Sequence, residues 1–280
     1  MTRLLRTLVR SLCTLLATTS VSAFAQQTPH EMPGMRPAPG MTEAPAMRSR
    51  ADPVTPRPAE DTSGPTSMPV SDDMIFYQVL LDQVEYTRSS QGSGMAWDVQ
   101  GWIGRDYNRL WVKSEGARQG GHTEDGRLEL LWSKPVAAFW DLQAGVRHDF
   151  GGGPTRNWLA FGVEGIAPYM FDLEATAYAG NSRAALRLDG KYELALTQRT
   201  WLTPRVEANL YSRADPERGL GAGLTDVSFG LRLRHEFRRE FAPYVGVEWN
   251  HRFGGTADQA RAAGEPVTDR KWVAGVRVWF

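Results

Sequence analysis

The sequence predicts an all-β protein: a transmembrane antiparallel up-and-down β-barrel of twelve strands behind a disordered N-terminal tail. Three observations predict it. From about residue 75 to Phe280, short runs alternate apolar and polar side chains with a period of two. The connections between these runs read alternately short and long. The chain opens on an export signal, yet holds no later run of ~20 apolar residues that could cross a bilayer as a helix.

The signal spans residues 1–25. Arg3, Arg6 and Arg10 supply a positive start, "SLCTLLATTSV" a short apolar stretch, and Ala23-Phe24-Ala25 a small-x-small cleavage site. Cys13 lies inside the apolar stretch and is the one cysteine of the chain. Cleavage after Ala25 leaves a mature protein without thiols, which excludes a disulfide framework and a thiolate metal site. The 32 basic and 32 acidic residues balance. Removal of the three signal arginines tips the mature chain slightly acidic, and no basic stripe points to nucleic acid.

Residues 26–73 form the predicted tail. Ten prolines fall between Pro29 and Pro69, with almost no Leu, Ile or Val. Such a segment buries too little apolar surface to offset its ordering entropy.

The barrel region, residues 74–280, divides into twelve alternating runs, near 77–88, 95–105, 108–116, 127–134, 139–149, 157–166, 169–179, 184–197, 200–212, 224–237, 242–253 and 271–280. The eighth sets Leu186, Leu188, Leu194 and Leu196 against Arg187, Asp189, Lys191 and Glu193. Runs of this length suit a tilted bilayer crossing of ~9–11 residues. Connections after even-numbered runs read short ("DYN", "PVAA", "APY", "QRT", "RREF"). Those after odd-numbered runs read long, among them "SSQGSGM", "ARQGGHTEDG" and "RADPERGLGAG". Short turns at one rim and long loops at the other are the habit of outer-membrane barrels. The final run, "KWVAGVRVWF", alternates up to Phe280, which implies that the last strand is held by pairing with the first.

Charged residues dominate one parity: Glu129, Asp141, Arg147, Asp172, Glu174, Arg187, Asp189, Arg205, Glu207, Arg232, Arg234 and Arg277 among them. Facing lipid, an Arg or Lys near the midplane costs ~2–4 kcal/mol, so these side chains are expected in the lumen. The other parity carries Leu, Val, Phe and Ala, with Trp97, Trp132 and Trp140 near strand ends, as interfacial aromatics require. His148, His235 and His251 share that apolar parity and read as interfacial residues.

The candidate metal ligands are His30, Met32, Met35, Met41, Met47 and Met68 in the tail, with Met170, Asp172 and Glu174 in the barrel. A disordered hydrophilic tail has no packing use for methionine. Thioethers are soft ligands matched to Cu(I), and imidazole accepts either copper state, so copper ions are the expected cargo, Cu(I) favoured over Cu(II). Met170 shares a parity with Asp172 and Glu174 and is expected to look inward near one rim. No zinc-type ligand spacing is present.

The runs "RLWVKSEG" (109–116), "FWDLQAGVRHDF" (139–150), "APYMFDLEATAY" (167–178), "LTPRVEANLY" (202–211), "DPERGLGAGL" (215–224) and "REFAPYVGVEWNHRFGGTAD" (239–258) resemble the copper resistance protein B family of bacterial outer-membrane proteins. The resemblance runs from about Phe76 to Phe280. It implies an outer-membrane barrel with a Met- and His-bearing N-terminal segment in the periplasm, serving tolerance to excess copper without catalysis. The expected partners are outer-membrane lipid, the outer-membrane assembly machinery acting on Phe280, and a periplasmic copper protein, with no nucleic acid. Two alternatives stay open at this point. One is a passive or structural barrel. The other is an outer-membrane hydrolase built on Ser114, His122, His148 and Asp149.

Overall fold

Alternating residues at this strand length can satisfy every backbone group in lipid only by closing on themselves, and the chain does so. The structure, a computed structural model, describes residues 74–180 and 182–280. The signal and tail of residues 1–73, with His30, Met32, Met35, Met41, Met47 and Met68, lie outside the described residues.

Twelve strands follow one another, one for each predicted run: β1 (Phe76–Ser89), β2 (Gly92–Arg105), β3 (Asn108–Gln119), β4 (His122–Ala137), β5 (Trp140–Gly151), β6 (Arg156–Ala167), β7 (Phe171–Gly180), β8 (Arg183–Tyr192, resumed at Leu194–Ala195), β9 (Thr200–Tyr211), β10 (Gly223–His235), β11 (Phe241–Arg252) and β12 (Thr268–Trp279). A helix, α1 (Gly254–Ala262), lies between β11 and β12. Each strand pairs antiparallel with the next, and β12 returns to β1. At the seam Phe280 and Val79 exchange both backbone hydrogen bonds, at 2.9 and 3.1 Å. No described helix is long and apolar enough to cross a membrane.

Two of the ladder's irregularities bear directly on the lumen. In β1 the pairing with β2 skips a position between Leu81 and Gln83. This bulge turns both Asp82 and Gln83 towards the lumen, and resets the parity so that Glu85 is buried. In β9, Pro204 has no N–H to give β8. The ladder to β8 stops at Arg205↔Lys191 and resumes at Leu202↔Leu194, so β8 breaks at Glu193.

The start of β1, the C-terminal Phe280 and the connections at 106–107, 138–139, 168–170, 196–199 and 236–240 share one rim, called here the terminal rim. The opposite rim differs from the sequence expectation. Two of its connections expected to be long are two-residue turns, at 90–91 and 120–121, and a third is short enough for Gly180 to pair with Arg183. The polar residues read as loop continue the strands instead, and β4 reaches 16 residues. Polar composition marks where a strand leaves lipid, not where its hydrogen-bond ladder ends. Only the connections at 212–222 and 253–267 are long loops.

The outer surface is apolar around the barrel, with Ile103, Val112, Leu130, Val146, Phe161, Leu188, Phe229, Val245 and Trp272 exposed. Tyr77, Tyr107, Phe139, Tyr169, Phe237 and Phe280 ring the terminal rim. His148, His235 and His251 stand exposed on the outer face, each beside a Phe two residues on, as their parity predicts. Charged residues are the buried ones: Glu85, Glu129, Arg147, Asp149, Arg187, Arg232 and Arg234. This inversion of the soluble pattern is what a lipid surround requires.

Candidate functional site

The antiparallel register aligns carboxylates on five consecutive strands. Asp141 stands opposite Glu164, Glu164 opposite Glu174, Glu174 opposite Asp189, and Asp189 opposite Glu207. Like charges directly opposite one another destabilise a sheet. The cost is offset by cations that reach across the lumen from other strands. Lys113 on β3 meets Glu164 at 2.8 Å and Glu174 at 3.0 Å. Arg187 on β8 holds Glu207 through two bonds of 2.9 and 2.8 Å and reaches Glu115 on β3 at 3.0 Å. Arg205 on β9 holds Asp189 at 2.7 Å and Asp98 on β2 at 3.2 Å. Arg127 adds a bond to Glu115.

These struts frame a cavity of about 260 Å³, room for several waters. Eight carboxylates and five Lys or Arg side chains line it, so acid exceeds base. Its wall includes Gly165, Ile166, Asp172 and Leu173, which flank the turn at the terminal rim between β6 and β7. The surplus of carboxylate oxygen favours cations. Among the described residues, no three or more His, Cys, Asp or Glu side chains converge to hold a metal ion.

Alongside the carboxylate ladder runs an oblique row of mostly apolar and aromatic residues, from Trp111 near the start of β3 to Tyr211 at the end of β9. Trp111, Leu131, Gly145, Ala160, Tyr178, Ala185 and Tyr211 stand opposite one another across β3 to β9. Leu131 and Tyr178 are fully buried there. The Tyr178 hydroxyl donates to Glu129 at 2.8 Å, the Arg147 guanidinium lies 4.5 Å from the Tyr178 ring centre, and Asp149 binds both Arg147 and the Trp158 indole N–H. On β7 and β8 this row stands between the cavity-lining Glu174 and Arg187 and the opposite rim.

The rim beyond is capped by the 212–222 loop. Asp215 accepts two hydrogen bonds from Arg156, at 3.0 and 3.2 Å, and one from Arg183 at 3.0 Å. Arg218 binds Asp125 and the Pro154 carbonyl. The loop also docks on α1, where the Gly221 N–H donates to Thr256 Oγ1 at 2.8 Å. A side chain at Gly221 would meet the Thr256 backbone nitrogen at 2.5 Å, so only glycine allows this approach. The Arg156 hydrogen bonds, with Arg183 and Arg218 nearby, hold the Asp215 carboxyl below its ordinary value. A depressed folded pKa contributes stability above the unfolded value of ~4, and that contribution is lost as pH falls through the folded value. Amide exchange in residues 212–222, corrected for its intrinsic pH dependence, is therefore expected to stay slow from pH 8 to 5 and to quicken below about pH 4. Asp215→Asn is expected to remove the pH step and weaken the cap by about 1–3 kcal/mol at pH 7.

Of the barrel ligands read from the sequence, Asp172 and Glu174 line the cavity wall. Met170 does not join them. It lies in the 3₁₀ turn Pro168–Met170, 72 % exposed, and both Tyr169 and Met170 have a φ of 66°. Alternation holds only along a strand, so the inward orientation expected of Met170 fails in the turn ahead of β7. The hydrolase residues are not assembled either. His148 and Asp149 point to opposite faces of β5, and Ser114 accepts a hydrogen bond from the Trp97 indole at 3.2 Å. Sequence reading missed Lys113, Asp98, Glu115 and Glu164 as cavity residues. Parity puts all four on the inner face. Their convergence depends on which strands face each other across the closed lumen.

A closed barrel with an apolar belt, aromatic rim and charged interior defines a transmembrane β-barrel of the kind that spans bacterial outer membranes. Residues 75–280 match the model of the family described as copper resistance protein B precursor (CopB). The chain belongs to the copper resistance protein B family, and its role lies in copper resistance. It is 49 % identical over 212 residues to copper resistance protein B of Escherichia coli, covering 75 % of this chain and 72 % of the relative. It is 45 % identical, with the same coverage, to a copper resistance protein B homolog of Pseudomonas syringae pv. tomato. Among solved structures, the NanC porin aligns with a TM-score of 0.49 and 11 % identity, over 70 % of this chain and 98 % of the porin.

Proposed function

We propose that this protein captures copper on the periplasmic side of the outer membrane with its N-terminal tail and delivers it to the lumen of the barrel. The role is not catalytic. His30, Met32, Met35, Met41, Met47 and Met68 supply soft ligands that favour Cu(I), with Cu(II) bound more weakly through the imidazole. Asp172 and Glu174 belong to a carboxylate-rich cavity that concentrates cations by its field. Met170, exposed on the rim turn two residues before Asp172, offers a thioether on the way in. A periplasmic copper protein serves as donor or acceptor at that rim, lipid surrounds the belt, and the assembly machinery recognises the strand ending at Phe280. The observation that carries the reading is the five-strand carboxylate ladder inside a barrel of the copper resistance family.

Copper titration of the full protein and of a variant lacking residues 26–73, each under reducing and oxidising conditions, tests it. The truncated barrel is expected to fold, to lose most of its Cu(I) stoichiometry and to lower cellular copper tolerance. Full Cu(I) binding by the truncated protein would remove the tail from the scheme. Unchanged copper entry into liposome-embedded Glu164→Gln/Glu174→Gln protein would remove the cavity.

A further inference from the structure

At the rim opposite the chain ends, the outer face carries a cluster of cations that straddles the seam. Arg88 on β1 stands opposite Trp272 on β12, the last pair of the seam ladder in that direction. Arg270, two residues before Trp272, lies just beyond, so the two arginines are diagonal neighbours at a spacing of about 7–8 Å. The Arg270 guanidinium lies 5.7 Å from the Trp272 ring centre, beside the residue that Arg88 faces. Arg88, Arg270 and Trp272 are all exposed. Among the described residues neither arginine has a carboxylate partner. The adjacent acid, Asp269, points to the other face, with its Oδ1 buried.

The height of the cluster is informative. Tyr86, Trp249 and Trp272 form an aromatic tier on β1, β11 and β12, and Arg88, His251 and Arg270 each stand one outer position nearer the rim. Outward aromatics mark the headgroup level of a bilayer, so the position beyond them meets lipid phosphates. The cluster is also confined to one flank. Arg118 on β3 is exposed and bonds the Gly121 carbonyl, not a carboxylate. At the same end of β5 to β9 the outer positions carry His148, Asn157, Ala179, Ala184 and Leu210, with no arginine or lysine. Two neighbouring guanidinium groups without counter-charge repel one another, and a phosphate between them relieves that repulsion through paired N–H bonds.

We propose that Arg88 and Arg270 bind a phosphate of the phosphorylated glycolipid of the outer leaflet, through its lipid A moiety, and that this lipid clamps the seam between β1 and β12. The assignment rests on the orientation taken above, with the terminal rim in the periplasm and this cluster in the outer leaflet. The Trp272 ring holds the Arg270 guanidinium in place for the contact. One phosphate then joins the first strand to the last where their own hydrogen bonds have run out.

The test titrates the full protein in detergent with lipid A, with lipid A stripped of its phosphates, and with phosphatidylglycerol, counting bound lipid by native mass spectrometry. Lipid A is expected to bind at least tenfold more tightly than either of the others and to raise the unfolding midpoint. Arg88→Gln/Arg270→Gln is expected to weaken lipid A binding at least tenfold and to leave copper binding unchanged. If that variant does not fold, the three lipids compared on the unaltered protein decide the matter. Equal binding of lipid A and its dephosphorylated form, or full binding of lipid A by the double variant, would overturn the proposal. A preference for phosphatidylglycerol would overturn it by placing the cluster in the inner leaflet. The assay contains no copper, so its failure leaves the copper reading standing, and a failed copper titration leaves the lipid site standing.

Discussion

Replacing Arg187 by methionine is expected to destabilise the barrel by about 3–5 kcal/mol, the cost of breaking a buried ion pair from one side. Arg187 is almost fully buried and ties Glu207 to Glu115, with Glu174 at 4.0 Å. Methionine keeps much of the length and apolar stem but leaves these carboxylates facing one another in the lumen. The loss should therefore exceed the volume lost. Arg187→Met/Glu207→Gln is expected to recover a substantial part of it, because one stranded charge is gone, and the cycle of single and double variants isolates that coupling. Urea unfolding in lipid vesicles, followed by tryptophan fluorescence, measures all three. A single variant within about 0.5 kcal/mol of the parent would mean that the struts are slack and that solvent, not Arg187, neutralises the ladder.

The second large effect is expected on the opposite face of the same wall. Phe161 lies mid-strand on β6 and is exposed to the bilayer. Phe161→Arg is expected to cost about 2–4 kcal/mol, the price of a guanidinium near the midplane. His148, closer to the end of β5, should tolerate arginine at about 0–1 kcal/mol. The contrast between the two depths, read by the same unfolding assay, locates the apolar belt. Equal penalties at both positions would place the membrane elsewhere on the barrel.

The period of two made the strands legible: each of the twelve runs became one strand, and the charged parity turned inward as lipid demands. Other features were not readable from alternation alone. The β1 bulge shifts parity between Leu81 and Gln83, and no local residue type announces it. The Pro204 interruption could have been read, since proline withholds a ladder donor. Loop lengths were overestimated at 90–91 and 120–121 and between the paired Gly180 and Arg183, because the strands extend beyond the belt with polar side chains that resemble loop composition. The cavity was half legible. Asp172 and Glu174 followed from parity, whereas the ion pair of Lys113 with Glu174, four strands away, appears only with closure. Met170 misled because a turn does not obey the strand's alternation.

The seam between β1 and β12 carries a consequence for biogenesis. Val84 and Val276 are partners, so the pairing that completes the cylinder joins positions about 190 residues apart, a contact that folding reaches late. Until β12 has been made and delivered, the emerging protein has two raw edges, each able to recruit a stray strand. A chain truncated before β12 is therefore expected to leave the cylinder open, with β1 and β11 as its two edges.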